Sequence, residues 1–413
     1  MMEQSDLKDL QSLLRQKFHD ELIVKSYQVE NFLPPGENYG SKIVSVDAII
    51  IRNNENDKGN NSEEHIYMIA KLPPTSKIQR EMFDSPFTFK KEIFMYDEIF
   101  PAYKKLEIEN GVNEKQTFNS YADYYGSRLS LDESVEFDDD AAILLENLKT
   151  KNYYMIDRRY ACDLPHAKLA IKSIAKFHAL GIAMKHKKPE FFQILKNRSK
   201  CLEFKNPEDW ADTFKTIFEH ILDDPSLKDY HESCSKAVKL GDFSSYSAVP
   251  DEPWSTIIHS DFWTNNFMFH KNDTTNEPDD IKFVDFQNFL FLSPTRELAF
   301  FLGSGLNHDV INNHLDYLIN LYYKTLIDTL RVFNIDIGIY SRETFDERLR
   351  KDARVEFGHS LCMLKIITMD INADDPNGSN VKNILERSET SEIFRTRMRD
   401  LILMLHKKNW LDE

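Results

Sequence analysis

The segment IIHSDFWTNNFMFH (257–270) places His259, Asp261 and Asn266 between two apolar runs. Burial of polar groups costs free energy unless hydrogen bonds or a ligand satisfy them. We therefore expect a hydrogen-bond network or a ligand site in this segment, rather than an ordinary strand or a surface loop.

The three polar residues fit the pattern H-x-D-x-x-x-x-N, which is the spacing of a kinase catalytic loop. In such a loop the Asp accepts the proton of an attacking hydroxyl, and the Asn turns back to a magnesium ion. A second carboxylate must share that ion, and Asp285 in KFVDFQNF is the candidate. Turn-forming residues at 272–273 predict a hairpin that brings Asp285 beside Asn266.

The pattern also has a purely structural interpretation, in which Asp261 only caps a turn. A motif this short occurs by chance. The apolar strand that ends in D-F-Q after the expected hairpin favours the functional interpretation.

Residues before this segment are candidates for contacts with a nucleotide. Lys71 lies near the end of the apolar strand IYMIAKL, where a kinase places the lysine that contacts the α- and β-phosphates. Glu92, in the helical segment FKKEIFMYDEI, is placed to hold that lysine in an ion pair. Taken singly, Lys71 fits a strand end that reaches into solvent and Glu92 a solvated helix charge. Their order along the chain favours the functional interpretation.

Two further segments are weaker candidates for nucleotide binding. GENYGSK (36–42) lacks a G-x-G-x-x-G pattern, but Asn38 or Ser41 can donate to a phosphate oxygen. An ordinary turn into a strand explains this segment equally well. Glu146 to Leu148 is expected to form a hinge whose backbone groups contact adenine.

Composition restricts the class of protein. The chain has 413 residues, of which 41% are hydrophobic, and this length predicts two lobes rather than one core. A net charge of −16 argues against a nucleic-acid partner or an anionic membrane surface. The N-terminus is unlike a secretory signal, and no apolar run approaches the length of a membrane span. Four dispersed cysteines indicate reduced thiols. We expect a cytoplasmic protein with no membrane span and no obligate protein partner.

Hydrophobic patterning predicts an α+β fold with a β-rich N-terminal lobe (1–145) and a large, mainly helical C-terminal lobe (146–413). Asp163 is expected to cap a helix with Pro165 in its first turn. An edge strand is expected in AAILLENLK. Pro101 is expected to stop the helix predicted at 87–100. The predicted strands are 43–51 and 65–72, and the predicted helices are 87–100, 206–222, 309–333, 343–366 and 381–408.

HSDFWTNNFMF followed by VDFQ resembles the signature of the ecdysteroid kinase-like family, a branch of the choline kinase-like and aminoglycoside phosphotransferase-like small-molecule kinases. GENYGS, LLENLK and DRRYACDLPHAKLAIKSIAKFHAL are similar to further segments of that family. The resemblance extends from about residue 30 to 370. It implies a bilobal protein-kinase-like fold and ATP-dependent phosphorylation of a small-molecule hydroxyl, with ATP and Mg²⁺ as cofactors.

Carried over by motif, the resemblance makes Asp261 the catalytic base and His259 the residue that braces its loop. It implies that Asn266 and Asp285 bind Mg²⁺ and that Lys71, together with Glu92, positions the phosphates. His178 is expected to be a packed structural histidine.

Two positions depart from the family pattern. Ser260 replaces the usual Gly after the His. Glu297 stands where Asp is common, and we expect this second difference to affect packing only.

The leading hypothesis is a kinase that phosphorylates a steroid-like or other lipophilic alcohol, and there are three alternatives to it. A pseudokinase that holds a small hydrophobic ligand usually lacks at least one of the four residues Lys71, Asp261, Asn266 and Asp285, all of which are present. A protein kinase needs a glycine-rich loop and an activation segment that this chain lacks. A kinase for choline or ethanolamine remains an alternative because the sequence alone does not show which side chains face the acceptor.

Overall fold

The chain divides into two compact units. The computed structural model describes residues 7–18, 22–32, 40–52, 62–202, 211–240, 243–369, 385–387 and 389–412. One unit comprises Met1–Phe100 and Tyr121–Tyr153, and the other comprises Pro101–Ser120 and Tyr154–Glu413. The first is rich in strands and the second is mainly helical, which confirms the predicted α+β fold. The lobe boundary at 145 and 146 stays a prediction.

The first unit contains a five-stranded antiparallel sheet. Its strands are β1 (Ile23–Asn31), β2 (Lys42–Arg52), β3 (Ser62–Leu72), β4 (Tyr124–Arg128) and β5 (Ala142–Glu146). Their order in the sheet is β1-β2-β3-β5-β4. Alternate residues of β2 and β3 are buried in one core, together with the leucines of the N-terminal helix α1 (Leu10–Phe18).

The position of β5 corrects the expectation of an edge strand. β5 lies between β3 and β4, and all five of its residues are buried. A continuous apolar run is typical of a strand that is buried on both faces. The missing neighbour was β4, YYGSR, whose short length and internal Gly126 gave no strand pattern in the sequence.

Helices α2 (Lys77–Met82) and α3 (Ser85–Phe94) follow β3. The expectation that the helix at 87–100 ends at Pro101 is wrong. A π-helical turn at Met95–Ile99 continues α3 into α4 (Phe100–Glu109). In this wider turn the Phe100 N–H donates to the Met95 carbonyl, five residues back. Pro101 then lies in the first turn of α4, where a missing N–H and a fixed φ are tolerated.

The second unit is built mainly from helices. They are α5 (Leu164–Lys187), α6 (Pro189–Arg198), α7 (Ala211–Leu222), α8 (His231–Val238), α9 (Pro294–Ser304), α10 (His308–Asn313), α11 (Leu315–Val332), α12 (Arg342–Val355), α13 (Phe357–Thr368) and α14 (Glu392–Lys407). The helices predicted at 309–333 and 343–366 are each two consecutive helices. Throughout the residues that the structure describes, no helix has the length and apolar character needed to span a bilayer.

Short strands interrupt the helices, as predicted for 255–292. The strands in that range are β7 (Thr256–Ile258), β8 (Phe267–Lys271), β9 (Pro278–Phe283) and β10 (Leu290–Leu292), and β6 (Tyr153–Tyr154) is a further short strand that was not predicted. β8 and β9 form the expected hairpin, in which Phe267 pairs with Phe283. The Val284 N–H donates to the Asn266 carbonyl at 3.1 Å, so the chain leaves the hairpin beside the point where it entered.

Helix α5 positions the strand that leads into the polar segment. As predicted, the Asp163 side chain caps α5 by accepting the His166 N–H. Thr256, at the start of β7, donates its hydroxyl to the carbonyl of His178 on α5 at 2.9 Å. This close approach needs Gly181, because a Cβ there would lie 2.2 Å from the Thr256 hydroxyl oxygen.

Gly181→Ala is expected to destabilise the protein despite the better helix propensity of alanine. Overpacking in a core typically costs about 1–3 kcal/mol, whereas the propensity gain is about 1 kcal/mol. Urea unfolding measures the difference. In a Thr256→Ala background, which removes the nearest atom, the same change should cost less or become favourable. A wild-type background that gains stability from Gly181→Ala would contradict the close packing of α5 on β7.

Candidate active site

His259 ties the polar loop to the end of the β8–β9 hairpin. Its imidazole is fully buried, and Nε2 lies 3.0 Å from the Val284 carbonyl oxygen. Nδ1 accepts the backbone N–H of Asp261 at 3.4 Å. These contacts place the ring proton on Nε2, which donates to Val284. The imidazole therefore holds the backbone on both sides of the site.

Asp261 and Asn266, which belong to one loop, lie together in the structure with Asp285, which comes after the β8–β9 hairpin. The Asn266 side-chain amide donates to the Asp261 carbonyl at 2.8 Å and to its carboxylate at 2.9 Å. Burial raises the pKa of Asp261, and the charge of Asp285 raises it further. The hydrogen bond from the Asn266 amide opposes these effects without cancelling them. Asp261 is thus a carboxylate of raised basicity, held by an amide beside a second carboxylate.

Glu297, on α9, holds the backbone of this loop. The expectation that it affects packing only is wrong. One carboxylate oxygen accepts the Ser260 N–H at 2.5 Å. The other accepts the His259 N–H at 3.1 Å and lies 2.8 Å from His178 Nε2. Sequence reasoning missed this role because the partners are backbone groups far away in the chain. The one signal was the family preference for an acidic residue at this position.

His178 is a packed structural histidine, as expected. It is fully buried on α5, with Nε2 donating to Glu297 and Nδ1 lying 2.6 Å from the Tyr322 hydroxyl. Both ring nitrogens thus have protein partners. The residue supports Glu297, which in turn supports the loop.

Ser260 adopts a backbone conformation that favours glycine. Its φ is +69°, in the left-handed region, where a side chain costs roughly 1–2 kcal/mol. The conformation directs its N–H to Glu297. This left-handed backbone conformation explains why glycine is common at this position in the family. Ser260 adopts the same conformation with some backbone strain.

In the first unit, Lys71 and Glu92 form a buried ion pair. Lys71 Nζ lies 2.5 Å from Glu92 Oε2, and the two residues are 4% and 1% exposed. The lysine comes from β3 and the glutamate from α3, as the sequence order predicted. Neither a lysine that reaches into solvent nor a solvated glutamate fits this burial. A buried pair needs good geometry to offset its desolvation.

Of the phosphate-loop candidates, Asn38 lies outside the described residues, and Ser41 is buried just before β2. Glu146 ends β5, where its carboxylate accepts the Asp123 N–H at 3.3 Å and pairs with Lys151.

The expected hinge residues have a defined backbone. Leu148 is buried and begins a 3₁₀ turn that ends at Lys151. The N–H of Glu146 donates to the Asp123 carbonyl at 2.8 Å, and that of Asn147 to the Tyr67 carbonyl at 3.2 Å. These two N–H groups are therefore already used within the unit.

Within the described ranges, no group of three or more His, Cys, Asp and Glu residues is placed to hold a metal ion. The candidate site has two carboxylates and one amide. Magnesium sites in kinases commonly use one or two carboxylates together with phosphate oxygens of the substrate.

Residues 35–335, well over half of the chain, match the family model described as the ecdysteroid kinase-like family. The chain belongs to the ecdysteroid kinase-like family. The match includes both the Lys71–Glu92 pair and the loop at 259–266, and it confirms the resemblance stated from the motifs.

No curated protein matches this ecdysteroid kinase-like chain. Among solved structures, an ethanolamine kinase of Plasmodium vivax is 14% identical, with a TM-score of 0.37 over 94% of this chain and 87% of the other. The GDP complex of an aminoglycoside 2'-phosphotransferase is 12% identical, with a TM-score of 0.36 over 85% and 95%. A choline/ethanolamine kinase family protein of Mesorhizobium loti is 9% identical, with a TM-score of 0.28 over 87% and 92%. TM-scores this low support no conclusion about the chain.

Glu297→Gln is expected to destabilise this ecdysteroid kinase-like protein by about 1–3 kcal/mol, because an amide N–H would face N–H donors and leave them unsatisfied. Denaturant unfolding measures the loss. Glu347→Gln is the matched control, because Glu347 is an exposed residue of α12 whose pair with Lys351 contributes little. Equal stability of the two variants would show that Glu297 does not hold the loop.

Proposed function

We propose that this chain transfers the γ-phosphate of ATP to a hydroxyl of a small neutral molecule, such as an ecdysteroid or another lipophilic alcohol. The observation that carries the proposal is the cluster of Asp261, Asn266 and Asp285. A raised-pKa carboxylate held by an amide beside a second carboxylate suits phosphoryl transfer to a hydroxyl. Family membership supports a kinase-like phosphotransferase, and the acceptor and the activity are the proposal.

Asp261 is proposed as the base that orients the acceptor hydroxyl and accepts its proton. A base works best when its pKa approaches the working pH, and burial with the neighbouring Asp285 moves the pKa of Asp261 in that direction. Asn266 fixes the carboxylate through its amide, and His259 fixes the backbone. Positioning supplies much of the rate in phosphoryl transfer, so both supports matter for turnover.

The residues present fit a magnesium ion. Asn266 and Asp285 offer the oxygen donors that Mg²⁺ prefers. The charge of Asp285 also raises the pKa of Asp261, so a cation between them would relieve a repulsion that the chain alone retains. When bound, Mg²⁺ neutralises charge on the phosphates.

The first unit is proposed to contact the nucleotide. Lys71, positioned by Glu92, gives a point charge to the α- and β-phosphates. Asn38 and Ser41 are proposed to donate to phosphate oxygens. The segment from Glu146 to Leu148 is proposed to contact adenine. The cytoplasmic location stays a prediction.

A direct assay tests the function. The purified protein is incubated with Mg-ATP and, in separate reactions, ecdysone, choline or ethanolamine, and products are examined by mass spectrometry. We expect phosphorylated ecdysone. Phosphorylation of choline or ethanolamine alone would favour the choline-type alternative. Binding of ecdysone without any product would favour the pseudokinase alternative.

Substitutions in the buried Lys71–Glu92 pair test whether Lys71 binds the nucleotide or only stabilises the fold. Lys71→Met leaves Glu92 buried without its cation, which should cost about 3–5 kcal/mol of stability. Lys71→Met/Glu92→Leu replaces the whole pair by apolar side chains and should recover most of that loss. Both variants should lose ATP affinity, measured by calorimetry. A double variant that binds Mg-ATP as wild type would rule out a phosphate contact by Lys71.

Asp285→Ala should abolish Mg²⁺-dependent turnover, and Asn266→Ala should weaken it less. A carboxylate brings a full charge to the ion, whereas an amide brings only a dipole. Initial rates are measured over a magnesium titration. Asp273→Ala, in the exposed turn between β8 and β9, is the matched control and should titrate like wild type. Should Asp285→Ala keep the wild-type magnesium dependence, the metal site lies elsewhere.

A further inference from the structure

Helix α9 carries Glu297 in its first turn, and the residues just before Glu297 are held by α12. The Ser293 and Thr295 hydroxyls both donate to one carboxylate oxygen of Asp352, each at 2.5 Å. Asp352 lies in the last turn of α12 and is partly buried, whereas both hydroxyl residues are buried. The start of α9 is therefore fixed by a side chain from another helix.

Ser293 does not cap α9 in the usual way. Its backbone has the extended conformation of an N-cap residue, but its side chain accepts no N–H from the helix. An N-cap serine normally accepts such an N–H, and that bond typically contributes about 1 kcal/mol. Here the hydroxyl donates to Asp352 instead, and a carboxylate also suits the positive end of the helix dipole. A contact between two helices thus replaces the local cap.

A second carboxylate, one turn further along, holds another residue of the same turn. Glu356 follows α12, and its N–H donates to the Asp352 carbonyl at 2.8 Å. Its side chain accepts Nε of Arg296, and the side chains of this ion pair are 7% and 3% exposed. The other oxygen of Glu356 accepts the Tyr246 hydroxyl at 2.9 Å. Asp352 and Glu356 together therefore hold three of the four residues that directly precede Glu297.

These contacts affect the candidate base through Glu297. Its carboxylate accepts the N–H groups of His259 and Ser260, which directly precede Asp261. Rotation of α9 would move that carboxylate relative to both N–H groups, and hydrogen bonds weaken steeply as their geometry departs from the optimum. Misplacement by about 1 Å can cost roughly 10²-fold in rate, even when its origin is far from the chemistry. Apolar packing has no direction, so directional contacts at the start of α9 matter most for this placement.

We propose that Asp352 is a positioning residue for the candidate base. By binding two hydroxyls in the first turn of α9, it fixes the rotation of that helix and thereby the placement of Glu297 against the backbone before Asp261. This assigns part of the active-site geometry to a helix that contributes no side chain to the cluster of Asp261, Asn266 and Asp285. The inference rests on the proposed function, since it concerns the base of that reaction.

Three variants separate positioning from stability. Asp352→Leu keeps a similar volume and removes both acceptor oxygens. Asp352→Leu combined with Ser293→Ala and Thr295→Val also removes the two hydroxyls, which should recover most of the stability because no buried donor is left unsatisfied. Asp352→Asn keeps one acceptor oxygen and is the conservative variant. Asp346→Asn, at an exposed position of α12 that pairs with Arg342, is the matched control.

Two properties are compared with stability in each full-length variant. Hydrogen exchange, resolved at single residues in the absence of ATP and acceptor, measures the protection of the His259 and Ser260 N–H groups. The N–H of Leu326, a buried residue of α11, reports general opening of the second unit. Initial rates with Mg-ATP and ecdysone give kcat and the KM for ATP. Urea unfolding gives the stability.

We expect exchange at His259 and Ser260 to accelerate by about tenfold or more relative to Leu326 in Asp352→Leu. The triple variant should show the same acceleration although it regains stability. In both, kcat should fall by about 10- to 100-fold while the KM for ATP stays within about threefold of wild type. Asp352→Asn should keep most of the protection and of kcat, and Asp346→Asn should match wild type.

Wild-type protection of the two loop N–H groups in Asp352→Leu would overturn the inference. If that variant does not fold, the triple variant decides: full recovery of both protection and kcat together with stability would show that Asp352 only stabilises the fold. The expected exchange pattern in a protein that phosphorylates no acceptor would contradict the proposed function, and it would leave the placement of the loop by Asp352 standing.

Discussion

The carboxylate of Glu297 is the constraint on which the candidate active site depends. It is buried on α9 and accepts the N–H groups of two consecutive residues, His259 and Ser260. Hydrogen bonds to an ionised group are roughly twice as strong as neutral ones, and a buried acceptor cannot exchange them for water. The backbone before Asp261 is thereby fixed, including the left-handed conformation of Ser260. His178 also donates to this carboxylate, and the Tyr322 hydroxyl contacts the other ring nitrogen of His178.

Ionised groups recur in the interior, and each is held in a polar network. Lys71 with Glu92, and Arg296 with Glu356, are pairs in which neither partner is substantially exposed. Apolar replacements of such pairs are often as stable, so stability alone gives little reason to keep them. The proposed phosphate contact supplies a reason for Lys71.

Local pattern and order along the chain predicted much of the site. The H-x-D-x-x-x-x-N spacing and a turn at 272–273 were sufficient to place Asp285 near Asn266, because a hairpin joins them. The Lys71–Glu92 pair followed from a strand and the helix after it. The internal position of β5 did not follow, because its neighbour β4 is short and contains glycine. The helix through Pro101 depends on a π-helical turn with no sequence signature. Glu297 was underestimated because its partners are backbone groups, which carry no residue identity.

The account depends most on Asp261 as a base whose pKa the folded protein raises. Folding raises its pKa, so the ionised carboxylate is a net cost to stability once the pH exceeds the unfolded value, and the cost grows as the pH rises through the folded pKa. Asp261→Asn removes that charge at nearly constant size. Turnover of ecdysone, Mg-ATP affinity and unfolding free energy should be measured together on this variant at neutral pH. We expect stability at least equal to wild type, ATP affinity nearly unchanged, and kcat lower by about 10²- to 10⁴-fold. A folded Asp261→Asn protein whose kcat stays within about threefold of wild type would contradict the account, since general-base contributions are far larger.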